Sequence, residues 1–161
     1  MAHAVRGYDS ESDLVQDLVQ FLGGRRGAAE WRAEGVTREF FYSRGRTDVI
    51  AASGGQMLAF EAKLTRWREA LHQAYRNRCF AHRSYVVVPS AVATRLLAHV
   101  DEFTRRKVGL CAVSSDREVT VMIEADTSEP WQGWLAQEAL AVVGGDKGCR
   151  RHDRTSRALR A

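Results

Sequence analysis

Three cysteines among 161 residues, Cys79, Cys111 and Cys149, are too few and too scattered for a disulfide framework, and none makes a C-x-x-C pair of the kind that holds zinc. The five histidines, His3, His72, His82, His99 and His152, have no metal-ligand spacing. No apolar run approaches the length needed to span a bilayer, so no membrane role is expected. The stretch from Met1 to Asp9 has no apolar signal core, and a cytoplasmic location is expected. There is no internal repeat, and no segment stands apart as a base-reading module.

What remains is enough for one domain. Hydrophobic residues make up 45% of the chain, ordinary for a globular protein that buries one core. Residues 1–145 read as that domain. Residues 146–161 hold six Lys/Arg against Asp146 and Asp153 and are expected to form a basic, disordered tail.

The densest signal lies between residues 47 and 63. Thr47-Asp48-Val49-Ile50-Ala51-Ala52 and Met57-Leu58-Ala59-Phe60-Glu61-Ala62-Lys63 flank Ser53-Gly54-Gly55-Gln56. Two apolar runs around Gly-Gly predict a hairpin with a two-residue turn. In that register Asp48 falls opposite Glu61, and Lys63 lies two residues along on the same face. Like charges across an antiparallel pair are destabilising. Their neighbours on that face, Ile50, Ala52, Met57 and Ala59, are apolar or small, and the other face carries Val49, Ala51, Leu58 and Phe60. Two carboxylates at one end of such a hairpin call for compensation, which a hard divalent cation with oxygen ligands supplies. A solvated hairpin end, with Lys63 as a plain ion-pair partner, is the alternative.

Before the hairpin, Ser10 is a good N-cap for a helix over 11–22, and 35–42 reads as a strand. Glu11 falls near the centre of the apolar stripe Leu14, Val15, Leu18, Val19, Phe21 and Leu22, so it wants a partner or the helix dipole. After the hairpin a helix is predicted over 65–81, with Gln73 and Asn77 flanking its apolar face and Arg78 projecting from it. A strand at 84–89 follows, reached by a parallel crossover. A helix at 91–106 places Val92, Leu96, Leu97, Val100 and Phe103 inside. Strands at 108–113 and 118–125 come next. Ser128 then opens a last helix whose Trp131, Trp134, Leu135, Ala139, Val142 and Val143 are expected to pack on the body.

Asp48 followed by Glu61-Ala62-Lys63 on a hairpin, with a downstream helix carrying Gln73, resembles the PD-(D/E)xK nuclease superfamily. The resemblance covers roughly residues 10 to 113. It implies a restriction-endonuclease-like α/β fold, a mixed sheet with helices on both faces. It implies Mg²⁺, with Mn²⁺ as a substitute, held by Asp48 and Glu61, with Lys63 positioning or activating the attacking water. Glu11 matches a first-helix Glu that completes the metal site in many members, and Gln73 a helix Gln acting near the metal or the DNA. The residue before Asp48 is Thr47 where the motif has Pro.

Residues 43–83 hold eight Lys/Arg against Asp48, Glu61 and Glu69, an excess that suits a phosphate backbone. Arg44, Arg46, Arg66, Arg76 and Arg78 are the candidate DNA contacts. A solvated helix face is the bland reading of such a run, and for Arg78 it is a snorkelling side chain with a buried stem. The expected activity is metal-dependent hydrolysis of phosphodiester bonds in DNA, in a phage-defence, mobile-element or repair setting. The rivals are a junction-resolving nuclease working as a homodimer, and a non-catalytic nucleic-acid-binding subunit of a larger complex.

Overall fold

The structure, a computed structural model, describes residues 7–24, 31 and 33–144. The predicted basic tail, 146–161, lies outside the described residues. Gly54 and Gly55 both have positive φ, 57° and 77°, the pair of values that a type I′ hairpin turn demands and that residues with a Cβ rarely adopt. They join β2 (Gly45–Ser53) to β3 (Gln56–Ala62), and Ser53 pairs with Gln56 at the turn. The register is the one the sequence predicts: Ile50 opposite Ala59, Val49 opposite Phe60.

Around this hairpin the chain runs α1 (Glu11–Gly23), β1 (Gly35–Tyr42), β2, β3, α2 (Trp67–Asn77), β4 (Arg83–Pro89), α3 (Ser90–Leu96), α4 (Val100–Arg106), β5 (Gly109–Val113) and β6 (Val119–Ile123). A further helix, α5, occupies 133–144. The six strands lie in chain order in one mixed sheet. β1–β2–β3 are antiparallel, β3–β4–β5 parallel, and β6 returns antiparallel. The crossover through α2 therefore makes the parallel connection that a strand–helix–strand unit requires.

Helices cover both faces. On one, α1 lays Leu14, Val15, Leu18 and Leu22 against Val49, Ala51, Leu58, Phe60, Tyr85 and Val87. On the other, Ile50, Met57 and Ala59 meet Phe80, Leu135 and Ala139, while Val86, Val88 and Leu110 meet Ala70, Leu71, Ala74 and Phe103. This two-sided burial explains why the central strands are apolar on both faces. Ser10 caps α1, its hydroxyl accepting the Asp13 N–H at 3.1 Å and donating to the Asp13 carboxylate at 2.7 Å. Such a cap contributes about 1 kcal/mol. Gly109 marks a close approach: a Cβ there would collide with the Tyr85 ring and the Ile123 carbonyl.

Three elements differ from the sequence reading. The helix expected over 91–106 is split by a 3₁₀ turn, Leu97–His99. Tightening from about 100° to 120° per residue rotates the stripe. Phe103 stays buried, while Leu97 and Val100 face outward. α2 stops at Asn77 instead of 81, because Cys79 and Phe80 close three-residue turns onto Arg76 and Asn77 and so reach the core. α5 starts at 133, and Ser128 is not its cap. Residues 128–132 instead hold the end of α2: Ser128 N–H reaches the His82 carbonyl, and the Trp131 and Gln132 N–H groups reach the Arg78 and Cys79 carbonyls. As a result Leu135, Ala139 and Val143 pack inward, whereas Trp131, Trp134 and Val142 are exposed. Among the described residues no helix is long and apolar enough to cross a membrane.

Candidate functional site

The ladder between β2 and β3 has Val49 and Phe60 as its last paired positions. Asp48 and Glu61 come next. Asp48 does not continue the ladder; its Oδ2 accepts the Ala62 N–H at 2.9 Å. Asp48 lies close enough for its charge to act on Glu61. Glu61 is 1% exposed. Burial first, and the Asp48 charge second, push its carboxyl up from the ordinary 4.5 to about 8, against the pull of the Asn77 hydrogen bond and the Lys63 ammonium. A carboxylate pair so placed resists holding two negative charges without a cation.

α2 runs back over this end of β3. Glu69, Gln73 and Asn77 follow one another at i, i+4 spacing and share one helix face. Asn77 Nδ2 donates to Glu61 Oε1 at 2.7 Å. Glu69 lies at the other end of the row, with an oxygen 3.8 Å from Lys63 Nζ. Gln73 sits between them, partly buried, and its Oε1 is buried with no hydrogen-bond partner among the described residues. The helix residue that touches the carboxylate is thus Asn77, one turn beyond the Gln73 singled out from the sequence.

Glu11 is not drawn into the core as its place on the stripe suggested. Its side chain is 46% exposed, and its Oε2 lies 3.4 Å from Lys63 Nζ. Lys63 is therefore held between Glu11 and Glu69. A cleft of about 400 Å³ opens here, lined by Glu11, Ser12, Val15, Arg38, Glu39, Arg46 and Asp48. Of the two carboxylates, only the partly exposed Asp48 lines it, while Glu61 is buried behind it. Glu39, in the strand facing Asp48, adopts φ 59°, a left-handed conformation uncommon for a side-chain residue and frequent near functional sites.

The arginines divide. Arg44 and Arg66 are exposed, Arg66 paired with Glu69 at 3.3 Å. Arg46 bridges Glu39 at 3.1 Å and Asp48 at 3.7 Å. Arg76 donates to the Arg44 carbonyl, fixing the β1–β2 turn. Arg78 is internal scaffolding: it donates to the Arg106 carbonyl and the Ser128 hydroxyl and lies over the Trp131 ring. That arrangement matches the buried-stem alternative for Arg78.

Among the described residues no cluster of three or more His, Cys, Asp and Glu is arranged around a metal position. The donor set is two carboxylates. That suits Mg²⁺, which dehydrates reluctantly and is commonly held by one or two carboxylates, with water and substrate phosphate filling the other positions. It does not suit zinc, which takes four protein ligands in structural sites and usually three in catalytic ones. No protein-family model matches the chain, and no curated protein matches it.

The raised Glu61 carboxyl has a consequence for stability. Folding takes up a proton, so Glu61's contribution is fully present below about 4.5 and is lost as pH rises through about 8. In cation-free buffer the melting temperature of the wild type, relative to Glu61→Gln, should fall across this window, and saturating Mg²⁺ should flatten the fall. A pH-independent difference between the two proteins would contradict the burial argument.

Proposed function

We propose that this chain is a Mg²⁺-dependent nuclease of restriction-endonuclease-like fold that hydrolyses phosphodiester bonds in DNA. The observation that carries the reading is the buried Glu61 beside Asp48, with Lys63 two residues on and held in place from both sides. When bound, Mg²⁺ supplies positive charge that polarises a phosphodiester and acidifies water. Asp48 and Glu61 would hold it, Asp48 from the cleft side. Lys63 would place a point charge where negative charge builds on the phosphoryl group and would orient the attacking water. Arg44, Arg46 and Arg66, all exposed, would seat the backbone. Gln73, whose buried Oε1 has no hydrogen-bond partner among the described residues, would orient water.

The test is incubation with linear, circular, single-stranded and branched DNA in Mg²⁺, Mn²⁺ and EDTA. Cleavage in either cation and none in EDTA is the expected result. Strong preference for branched DNA would assign the junction-resolving activity. Binding without cleavage under every condition would replace the proposal with a non-catalytic subunit.

The tail contributes a separate expectation. Deleting residues 146–161 removes six Lys/Arg. DNA affinity should fall and the salt dependence should flatten, because each lost phosphate contact removes close to one unit of slope. An unchanged slope in a binding titration would deny the tail any part in binding.

A further inference from the structure

Four polar side chains are buried among the described residues: Thr47, Glu61, Asn77 and Ser84. Three of them form one connected chain. Asn77 Oδ1 accepts from the Thr47 hydroxyl at 2.9 Å and from the Tyr42 hydroxyl at 2.8 Å, and Asn77 Nδ2 donates to Glu61 Oε1 at 2.7 Å. Two hydroxyl donors on the amide oxygen fix which way the carboxamide faces. Its NH₂ group is left for Glu61, whose Oε1 accepts from it. The rest of the wiring comes from separate elements. Tyr42 ends β1, Thr47 lies in β2, Asn77 ends α2 and Glu61 lies in β3.

We propose that Asn77 is the positioning residue of the cation site, with Thr47 and Tyr42 holding its amide so that Glu61 presents one oxygen toward Asp48. This rests on the cation-site reading above. The other carboxyl oxygen is tied to Asn77 and withdrawn from the rotation that a lone buried carboxyl would have. The network also gives the residue before Asp48 a purpose: a threonine there supplies a hydroxyl that proline lacks. Outer contacts of this kind govern metal affinity because they fix the ligand's orientation before the ion arrives.

The test is Mn²⁺ affinity of the full chain without nucleic acid, by calorimetry, alongside the melting temperature. Asn77→Ala should weaken Mn²⁺ binding about tenfold or more, in the range known for outer-contact mutations. Thr47→Val should weaken it by a smaller factor and add nothing in the Asn77→Ala background, since it acts through Asn77. Ser84→Ala is the control. It removes another buried hydrogen bond between α2 and the sheet, Ser84 Oγ to the Ala74 carbonyl at 2.7 Å. It should lower the melting temperature and leave Mn²⁺ affinity unchanged. If Asn77→Ala does not fold, Thr47→Val and Tyr42→Phe carry the test: each should lower affinity, and the double variant should fall short of the product of the two. Wild-type affinity in Asn77→Ala, additive effects of Thr47→Val and Asn77→Ala, or an equal loss in Ser84→Ala would overturn the positioning role alone. A wild-type protein that binds no Mn²⁺ would overturn the cation site itself.

Discussion

Asp48→Ala and Glu61→Ala should each lower cation-dependent DNA cleavage by several orders of magnitude while the protein stays folded. In the proposed site Asp48 and Glu61 are the carboxylates that would hold the ion, so loss of either would leave it with one of the two. The effects on stability largely cancel. Glu61→Ala leaves the Asn77 Nδ2 without its acceptor, a cost of about 1–3 kcal/mol. It also removes a carboxylate whose burial and proximity to Asp48 disfavour ionisation. These effects oppose one another, and the net change should be small. Asp48→Ala strands the Ala62 N–H but relieves the same repulsion. Glu61→Gln keeps an acceptor for Asn77 and is the variant of choice for separating catalysis from folding. Circular dichroism and cleavage rates on the same samples check the pair, and full cleavage by any of these variants would remove the carboxylates from the mechanism.

Lys63→Ala should cut the single-turnover rate about a hundredfold or more, the scale of losing one donor aimed at developing charge, and change DNA affinity little. Its Nζ is 3.4 Å from Glu11 and 3.8 Å from Glu69, so the ammonium is located before substrate arrives. Arg44, Arg46 and Arg66, all exposed, would still be there to contact the backbone in the variant. Stability should barely move, because Glu11 and Glu69 are 46% and 41% exposed and surface ion pairs are worth little. Lys63→Arg should not restore the rate, since a planar guanidinium cannot put a point charge in the same place. Weak binding with a normal rate on bound DNA would make Lys63 a docking residue.

The hairpin at the centre of this account was legible because its cues agree. Gly-Gly favours a two-residue hairpin turn, and the flanking apolar runs fix one register, so Asp48, Glu61 and Lys63 follow by counting. The mixed sheet and its two-sided packing follow from fully apolar central strands alternating with amphipathic helices; the order of the strands in the sheet comes from the structure. Asn77 was not legible. Gln73 and Asn77 flank the same helix face, and which one meets Glu61 depends on how far α2 slides along β3, a property of packing. Thr47 and Tyr42 carry no local signal, since their hydroxyls matter only once Asn77 arrives. The outward turn of Leu97 and Val100 needed one 3₁₀ turn that no periodicity announces. The exposure of Trp131 and Trp134 needed the knowledge that residues 128–132 are engaged at the end of α2.

The central claim is that Asp48 and Glu61 share one divalent cation. Anomalous diffraction from crystals of the protein soaked in Mn²⁺ tests it most directly. A peak should lie between the two side chains, with an oxygen of each at about 2.2 Å or less. No peak there, at a Mn²⁺ concentration that supports cleavage, would contradict the account.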